Sequence, residues 1–218
     1  MERVGTGLLC RGMPSAGVSL LCRLLPPAGE SLKVESVGIV YKGPTMSATS
    51  AEPFRLDAPL PSGGWILYFH PAKENRWHMD TFKKVATVNT FRDLAHVFFA
   101  VSPTDWVRGK FFFTPEGIPP LMENARNIRG GSYSIRVDRS IAGEMMQSYM
   151  LASVLGKCLV SNGDLVSCVR ITPRRDFNIL QIWNRDSQKF CVPSGLAVVD
   201  PRIPEEEVKY VPHVEKKI

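Results

Sequence analysis

From residue 64 onward the apolar positions fall into short runs of strand length, and these runs predict β-strands. Some runs are continuous, as in residues 65–69, and others alternate with polar positions, as in residues 132–138. The first run, residues 64–70, places Trp65, Leu67 and Phe69 on one face. Further strands are predicted at residues 82–88, 110–113, 132–138, 165–172, 177–183 and 207–211. Because only a short polar turn separates residues 165–172 from residues 177–183, these two runs predict a β-hairpin.

Two other segments carry apolar residues at helical spacing. The first begins at a predicted N-cap, Thr90, with Asp93 placed to complete a capping box. Its apolar stripe comprises Phe91, Leu94, Ala95 and Phe98. The second covers residues 140–158, with a stripe of Ile141, Met145, Tyr149, Ala152 and Leu155. Strand pairs interleaved with helices predict an α+β fold, in which an antiparallel sheet carries the helices on one face.

The first 57 residues differ from the rest of the chain. Among residues 1–29 the only acidic side chain is Glu2, and leucine-rich stretches alternate with proline and glycine. Two interpretations stay open, a poorly structured extension or a segment that weakly resembles an organelle transit peptide. We assign residues 1–57 to an N-terminal extension and residues 58–218 to one folded domain.

Composition and charge narrow the function only slightly. The hydrophobic share of 44% and the charged share of 22% are ordinary for a globular protein. A formal net charge of +6 fits a phosphate-bearing partner, but the chain lacks the dense basic tract of a DNA-binding protein. No apolar run approaches the roughly 20 residues of a membrane span.

Nothing in the sequence predicts an enzyme, a metal site or a cofactor. The five cysteines have no Cys-x-x-Cys spacing, and the four histidines are not clustered with them. The chain has no Gly-x-Ser-x-Gly elbow, phosphate-binding Gly-Lys-Ser/Thr loop or His-Glu-x-x-His motif. Its acidic residues are scattered, whereas a metal-dependent hydrolase would need clustered carboxylates. A binding protein is therefore favoured.

A series of short motifs along the chain is more specific than its composition. In order, they are Pro59-Leu60, the WILYF run at 65–69, Trp77, GIPPLMENARNIRGG at 117–131 and LQIW at 180–183. This order and spacing resemble the translation initiation factor 4E family over about residues 58–183. The resemblance implies a curved antiparallel sheet with two to three helices on its convex face and a slot for the mRNA 5′ cap on its concave face. Because residues 186–199 contain Pro193 and Gly195, we expect the third helix to be shortened or lost.

The resemblance also implies roles for the slot residues. A 7-methylguanine ring is cationic, and aromatic faces attract cations. Trp77 corresponds to one stacking tryptophan, Trp183 to the tryptophan that contacts the N7 methyl group, and Glu123 to the carboxylate that accepts the guanine N1 and N2 hydrogens. The second stacking tryptophan is replaced by Met122. Methionine can lie flat on a ring but lacks the quadrupole, so we expect weaker discrimination between methylated and plain guanine.

The phosphates and the protein partners involve further residues. Arg174 and Arg175 lie in the turn before the last hairpin strand and are the candidates for the triphosphate, because guanidinium binds phosphate in a bidentate manner. An apparent two-residue insertion leaves open which of them does so. The family's convex-face site for a scaffold protein or repressor peptide corresponds to Pro59, Leu60, Ala95 and Tyr149. The last two replace the family's tryptophan and glutamate, so we expect altered or absent binding of the usual scaffold motif.

The sequence thus predicts a cytoplasmic, non-enzymatic domain that binds capped mRNA and neither DNA nor a membrane. The alternative is a general module for single-stranded RNA without cap specificity. Residues 108–113 invite comparison with the RNP1 motif of such modules. The match is poor, because Lys110 and Pro115 stand where that motif has aromatic residues.

Overall fold

The computed structural model describes residues 55–102, 104–159, 163–190, 196–197, 199 and 204–213. The described strands are β1 (Trp65–His70), β2 (Lys83–Val88), β3 (Lys110–Pro115), β4 (Gly131–Val137), β5 (Val166–Pro173), β6 (Asn178–Asn184) and β7 (Val208–Pro212). The described α-helices are α1 (Phe91–Ala100) and α2 (Ala142–Val154). Every one of these elements was predicted from the periodicity of the sequence.

The seven strands form one curved antiparallel sheet in the order β2-β1-β3-β5-β6-β4-β7. Strands β5 and β6 are the predicted hairpin and pair over most of their length, with Ile171 opposite Leu180. The α+β fold with helices on one face of an antiparallel sheet is therefore confirmed.

Helix α1 begins at the predicted capping box. The Thr90 hydroxyl accepts a hydrogen bond from the Asp93 backbone N–H at 3.2 Å, and the Asp93 carboxylate accepts one from the Thr90 N–H at 3.0 Å. These reciprocal bonds satisfy two backbone donors that the first turn would otherwise leave unpaired. Gln147 of α2 donates to the Phe98 carbonyl at 3.3 Å and so links the two helices.

The face of the sheet beneath the helices is a closed apolar core. Trp65 stacks on Phe113 with ring centroids 4.7 Å apart, and Trp106 lies 4.8 Å from Phe111. Since successive side chains of a strand point to opposite faces, the neighbours of these residues in β1 and β3 project to the other, concave face. That face carries the candidate site.

Two sequence predictions concern segments that the structure describes only in part. In the described part of residues 186–199, the helical structure is a single 3-10 turn at Ser187–Lys189, and residues 191–195 and 198 lie outside the description. The predicted extension, residues 1–57, lies outside it except for residues 55–57. Within these three, Asp57 forms an ion pair with Arg92 of α1.

Candidate functional site

The site lies on the concave face, where side chains from three neighbouring strands meet. Tyr68 of β1 is in register with Phe112 of β3, which is in register with Arg170 of β5. The register of the sheet thus brings an aromatic floor and a half-buried cation to one place, although the three residues are far apart in sequence.

An aromatic cluster forms the floor of this site. Its buried members are Phe82, Phe112, Cys168 and Trp183, and the half-buried side chains Tyr68, Leu121 and Met122 pack against them. Trp183 is only 1% exposed, and its indole N–H has no hydrogen-bond partner. Trp183 therefore lies in the floor of the site rather than on an exposed wall. Its predicted contact with a methyl group stays a prediction.

Trp77 stands above this floor in the loop after β1. Its side chain is 42% exposed, and one face of the indole is stacked on His70, with ring centroids 4.6 Å apart and planes 6° from parallel. His70 is fully buried, and its Nε2 lies 3.0 Å from the carbonyl oxygen of Arg76 in the same loop. His70 thus supports one face of the indole, while part of the side chain stays exposed to solvent.

The loop between β3 and β4 brings Met122 and Glu123 to the same site. The buried Asn127 amide donates to the carbonyls of Pro119 and Leu121, at 2.9 and 2.7 Å, and fixes the loop. Met122 packs on the aromatic cluster, whereas Glu123 is exposed at its edge. Trp77 and Met122 thus both adjoin the floor, and the stacking roles that the resemblance implies for them stay predictions.

His213 closes the floor from the end of β7. Its Nδ1 lies 2.8 Å from the carbonyl oxygen of Asn127, and its ring is 5.1 Å from Trp183, nearly perpendicular to it. Burial lowers the pKa of His213, and the negative charge of Glu123 partly opposes this effect. The C-terminal strand thus helps to fix the loop that carries the carboxylate.

Two cations at this site were not assigned to it by the sequence analysis. The guanidinium of Arg170 lies 4.9 Å from the ring centroid of Phe112, 5.2 Å from that of Trp77 and 6.0 Å from that of Trp183. Burial lowers the pKa of Arg170 to about 10. The ammonium of Lys110 lies 4.6 Å from the centroid of Trp77. In the sequence, Arg170 and Lys110 are each a charged residue within an otherwise largely apolar strand, and this was the signal that could have identified them.

The two arginines predicted for the triphosphate lie at the rim of the site. Arg174 and Arg175 are exposed in the turn between β5 and β6. Arg174 is close enough for its charge to lower the pKa of both Arg170 and Lys110. Arg174 therefore lies close to the two half-buried cations, Lys110 and Arg170.

The predicted partner residues lie on the helix side. Pro59 is exposed and bridges to Thr90 at the start of α1. Leu60, Ala95 and Tyr149 are 4%, 8% and 3% exposed. Three of the four residues thus offer almost no surface to a partner, and the predicted partner site stays a prediction.

The arrangement suits a flat aromatic ligand that carries negative charge on one side. It combines a half-exposed indole, a thioether, an exposed carboxylate and cations that no described carboxylate neutralises. Among the described residues, no three His, Cys, Asp or Glu side chains come together as metal ligands. No described helix is long and apolar enough to cross a membrane.

Comparison with known proteins assigns the chain to a family. The sequence model described as Eukaryotic initiation factor 4E matches residues 62–198, which is more than half of the chain. The chain belongs to the eukaryotic initiation factor 4E family. It is 25% identical to the translation initiation factor NCBP of Arabidopsis thaliana over 139 residues, and 22% identical to the translation initiation factor 4E-3 of Caenorhabditis elegans over 134 residues.

These sequence matches cover only part of each protein. They cover 61% and 57% of this chain, and 60% and 53% of the relatives, so the chain matches little more than half the length of each. Among solved structures, Ascaris suum eIF4E-3 with an m7G cap is similar with a TM-score of 0.56 at 22% identity, covering 74% of this chain and 94% of that one. C. elegans eIF4E-3 with the 4E-binding protein Mextli and a cap analogue has the same TM-score and identity, with 71% and 92% covered. These similarities establish the fold.

Proposed function

We propose that this protein binds the 7-methylguanosine 5′ cap of mRNA and acts, without catalysing a reaction, in translation initiation or its regulation. The observation that carries the proposal is the half-exposed Trp77, supported on one face by His70 and adjoining the half-buried Arg170, on the concave face of a 4E-type sheet. The Ascaris relative, which shares this fold, was solved with an m7G cap.

The base is held by stacking and by its polar edge. Trp77 covers one face of the guanine, where a base–aromatic stack is worth about 1–3 kcal/mol. Met122 covers the other face with a contact of about 0.3–1.5 kcal/mol. Glu123 accepts the N1 and N2 hydrogens of guanine, and an ionised carboxylate cannot serve the adenine edge in the same way. Trp183, in the floor, contacts the methylated side of the base.

The phosphates are held by cations at the other end of the slot. Arg170 provides a half-buried guanidinium, and Arg174 and Arg175 provide exposed ones in the adjoining turn. A guanidinium binds phosphate in a bidentate manner with charge-assisted hydrogen bonds. Since no described carboxylate lies within 4.0 Å of the Arg170 guanidinium, its charge is available to the phosphate chain.

Partner and compartment form the remaining parts of the proposal. The C. elegans relative was solved with a 4E-binding protein. By analogy, we propose a protein partner on the helix side, with Pro59 as its exposed contact and only minor contributions from Leu60, Ala95 and Tyr149. The protein acts in the cytoplasm, where capped mRNA is translated.

Retention on immobilised 7-methyl-GTP tests the proposal. We expect the full chain to stay on the resin and to elute with free 7-methyl-GTP at a lower concentration than with GTP, and not with ATP. Competition with capped and uncapped RNA of the same sequence is the second arm. If both RNAs compete equally, the protein is a general RNA-binding module and cap recognition is excluded.

A further inference from the structure

Lys110 is a cation beside the stacking side chain that the sequence analysis did not place in the slot. It is the first residue of β3 and is in register with His70 of β1. Its ammonium lies 4.6 Å from the ring centroid of Trp77, donates to the Glu74 carbonyl at 3.0 Å and lies 3.5 Å from His70 Nδ1. The ammonium is thus held close to Trp77, beside the His70 ring that supports one face of the indole.

The charges around Lys110 are mainly of its own sign. Burial lowers the pKa of Lys110, and the positive charges of Arg170 and Arg174 lower it further, opposed only by Glu74. The Glu74 carboxylate is itself paired with Arg76 at 3.1 Å. Within the described residues, no carboxylate oxygen lies within 4.0 Å of the Lys110 ammonium. Like charges gathered on an open face attract a ligand with several negative charges.

We propose that Lys110 is a specificity-determining residue of the cap slot, which attracts the phosphate chain of the ligand and opposes the positive charge of a methylated base. The inference rests on the proposed function. Attraction of phosphate by the ammonium is the same for methylated and plain guanine nucleotides. Repulsion acts only on the methylated base, because only that base is cationic.

Lys110 and Met122 therefore shift recognition in the same direction. Met122 lacks the quadrupole that favours a cationic base, and Lys110 opposes that base from beside Trp77. Together they give a slot that depends more on the phosphates and the guanine edge, and less on the methyl group, than a slot with two indoles and no ammonium.

Calorimetric titration of the full chain and of Lys110→Met with 7-methyl-GTP, 7-methyl-GMP and GTP tests this inference. The methionine keeps the length and apolar stem of the lysine. We expect the parent chain to bind 7-methyl-GTP more tightly than 7-methyl-GMP. In Lys110→Met this ratio of affinities should be about three- to tenfold smaller, as for the loss of one partly exposed charge-assisted contact. The affinity ratio of 7-methyl-GTP to GTP should rise about two- to fivefold, the range of one exposed cation–aromatic contact.

Two further variants separate this role from a structural one. Lys83→Met removes the same charge from an exposed position on β2 and should change neither quantity. Lys110→Arg keeps the charge and should retain the phosphate-dependent gain and the low ratio. The inference is overturned if Lys110→Met leaves either quantity unchanged, or if Lys110→Arg behaves like Lys110→Met. If the parent chain binds none of the guanine nucleotides, the proposed function itself fails.

Discussion

The two faces of the sheet use aromatic side chains in opposite ways. On the helix side, Trp65 stacks on Phe113 and donates its indole N–H to Ser62 at 2.8 Å, so both its ring and its polar atom are satisfied within the protein. On the concave side, Trp77 is 42% exposed and the indole N–H of Trp183 has no partner. The buried indole N–H of Trp106 on the helix side also lacks a partner, so the feature that distinguishes the concave side is the half-exposed ring of Trp77.

Charge distinguishes the two faces as well. Arg170 lies within about 6 Å of three concave-face rings, while in the described part of the chain no cation lies over Trp65, Phe113 or Trp106. A partly buried guanidinium without a carboxylate partner is costly, because its loss of hydration is not compensated by an ion pair. The helix side thus carries a closed apolar core, whereas the concave side combines buried rings with an exposed indole and with cations that a ligand can use.

The largest predicted effect concerns the helix side. Trp65→Ala removes a fully packed indole from the core and should lower the free energy of unfolding by about 3–5 kcal/mol. Chemical denaturation measures the loss, and 7-methyl-GTP affinity is measured on the fraction that remains folded. We expect that affinity to be unchanged. A fall in affinity without a loss of stability would contradict the division of roles between the faces.

Glu123→Ala should have the next largest effect and acts on the ligand alone. Loss of the carboxylate leaves the guanine N1 and N2 hydrogens unpaired and should cost about 1.5–3 kcal/mol of cap binding, with weaker discrimination against adenine nucleotides. Calorimetry with 7-methyl-GTP and ATP measures both changes. Glu144→Ala, in α2 on the opposite face, is the control and should change neither. If Glu123→Ala keeps the same preference for guanine over adenine nucleotides, Glu123 does not contact the guanine edge.

Trp77→Ala should cost about 1–3 kcal/mol of cap binding while the protein stays folded, because the indole is exposed on a loop. The matched control is Phe190→Ala, which removes an aromatic ring of the same 42% exposure outside the slot. Calorimetry gives the affinities, and thermal unfolding monitored by circular dichroism gives the stability. Equal affinities of the two variants would show that Trp77 is not a stacking residue.

Met122→Trp is expected to have the smallest effect and the opposite sign. A second indole should add about 0.5–2 kcal/mol of binding through a cation–π contact. The gain should be larger for 7-methyl-GTP than for GTP, because only the methylated base is cationic. Equal gains for both ligands would indicate apolar contact without recognition of charge. A loss of binding would place a different residue on the second face of the base.

The fold was predictable because its signals are local. Each described strand coincides with a short apolar or alternating run, and α1 begins at the capping box that Thr90 and Asp93 predict. The positions of Trp77 and Met122 at one site followed from the family resemblance.

The cations of the site were not predictable in this way, because their position depends on the register of distant strands. Arg170 enters the site only because β5 aligns it with Phe112 of β3, and Lys110 only because β3 aligns it with His70 of β1. Sequence spacing carries no information about such pairings. The arginines in the turn were easier to recognise as charged residues outside a strand, yet they lie at the rim of the site.

The most direct test of cap recognition is a titration of the intrinsic tryptophan fluorescence of the full chain with 7-methyl-GTP, GTP and ATP. Of the four tryptophans, Trp65, Trp106 and Trp183 are buried, so a base that stacks in the slot should quench mainly Trp77. We predict saturable quenching with affinity decreasing from 7-methyl-GTP to GTP to ATP, and loss of most of the signal in Trp77→Phe. Absence of saturable quenching by 7-methyl-GTP, or equal affinity for 7-methyl-GTP and ATP, would contradict cap recognition by this slot.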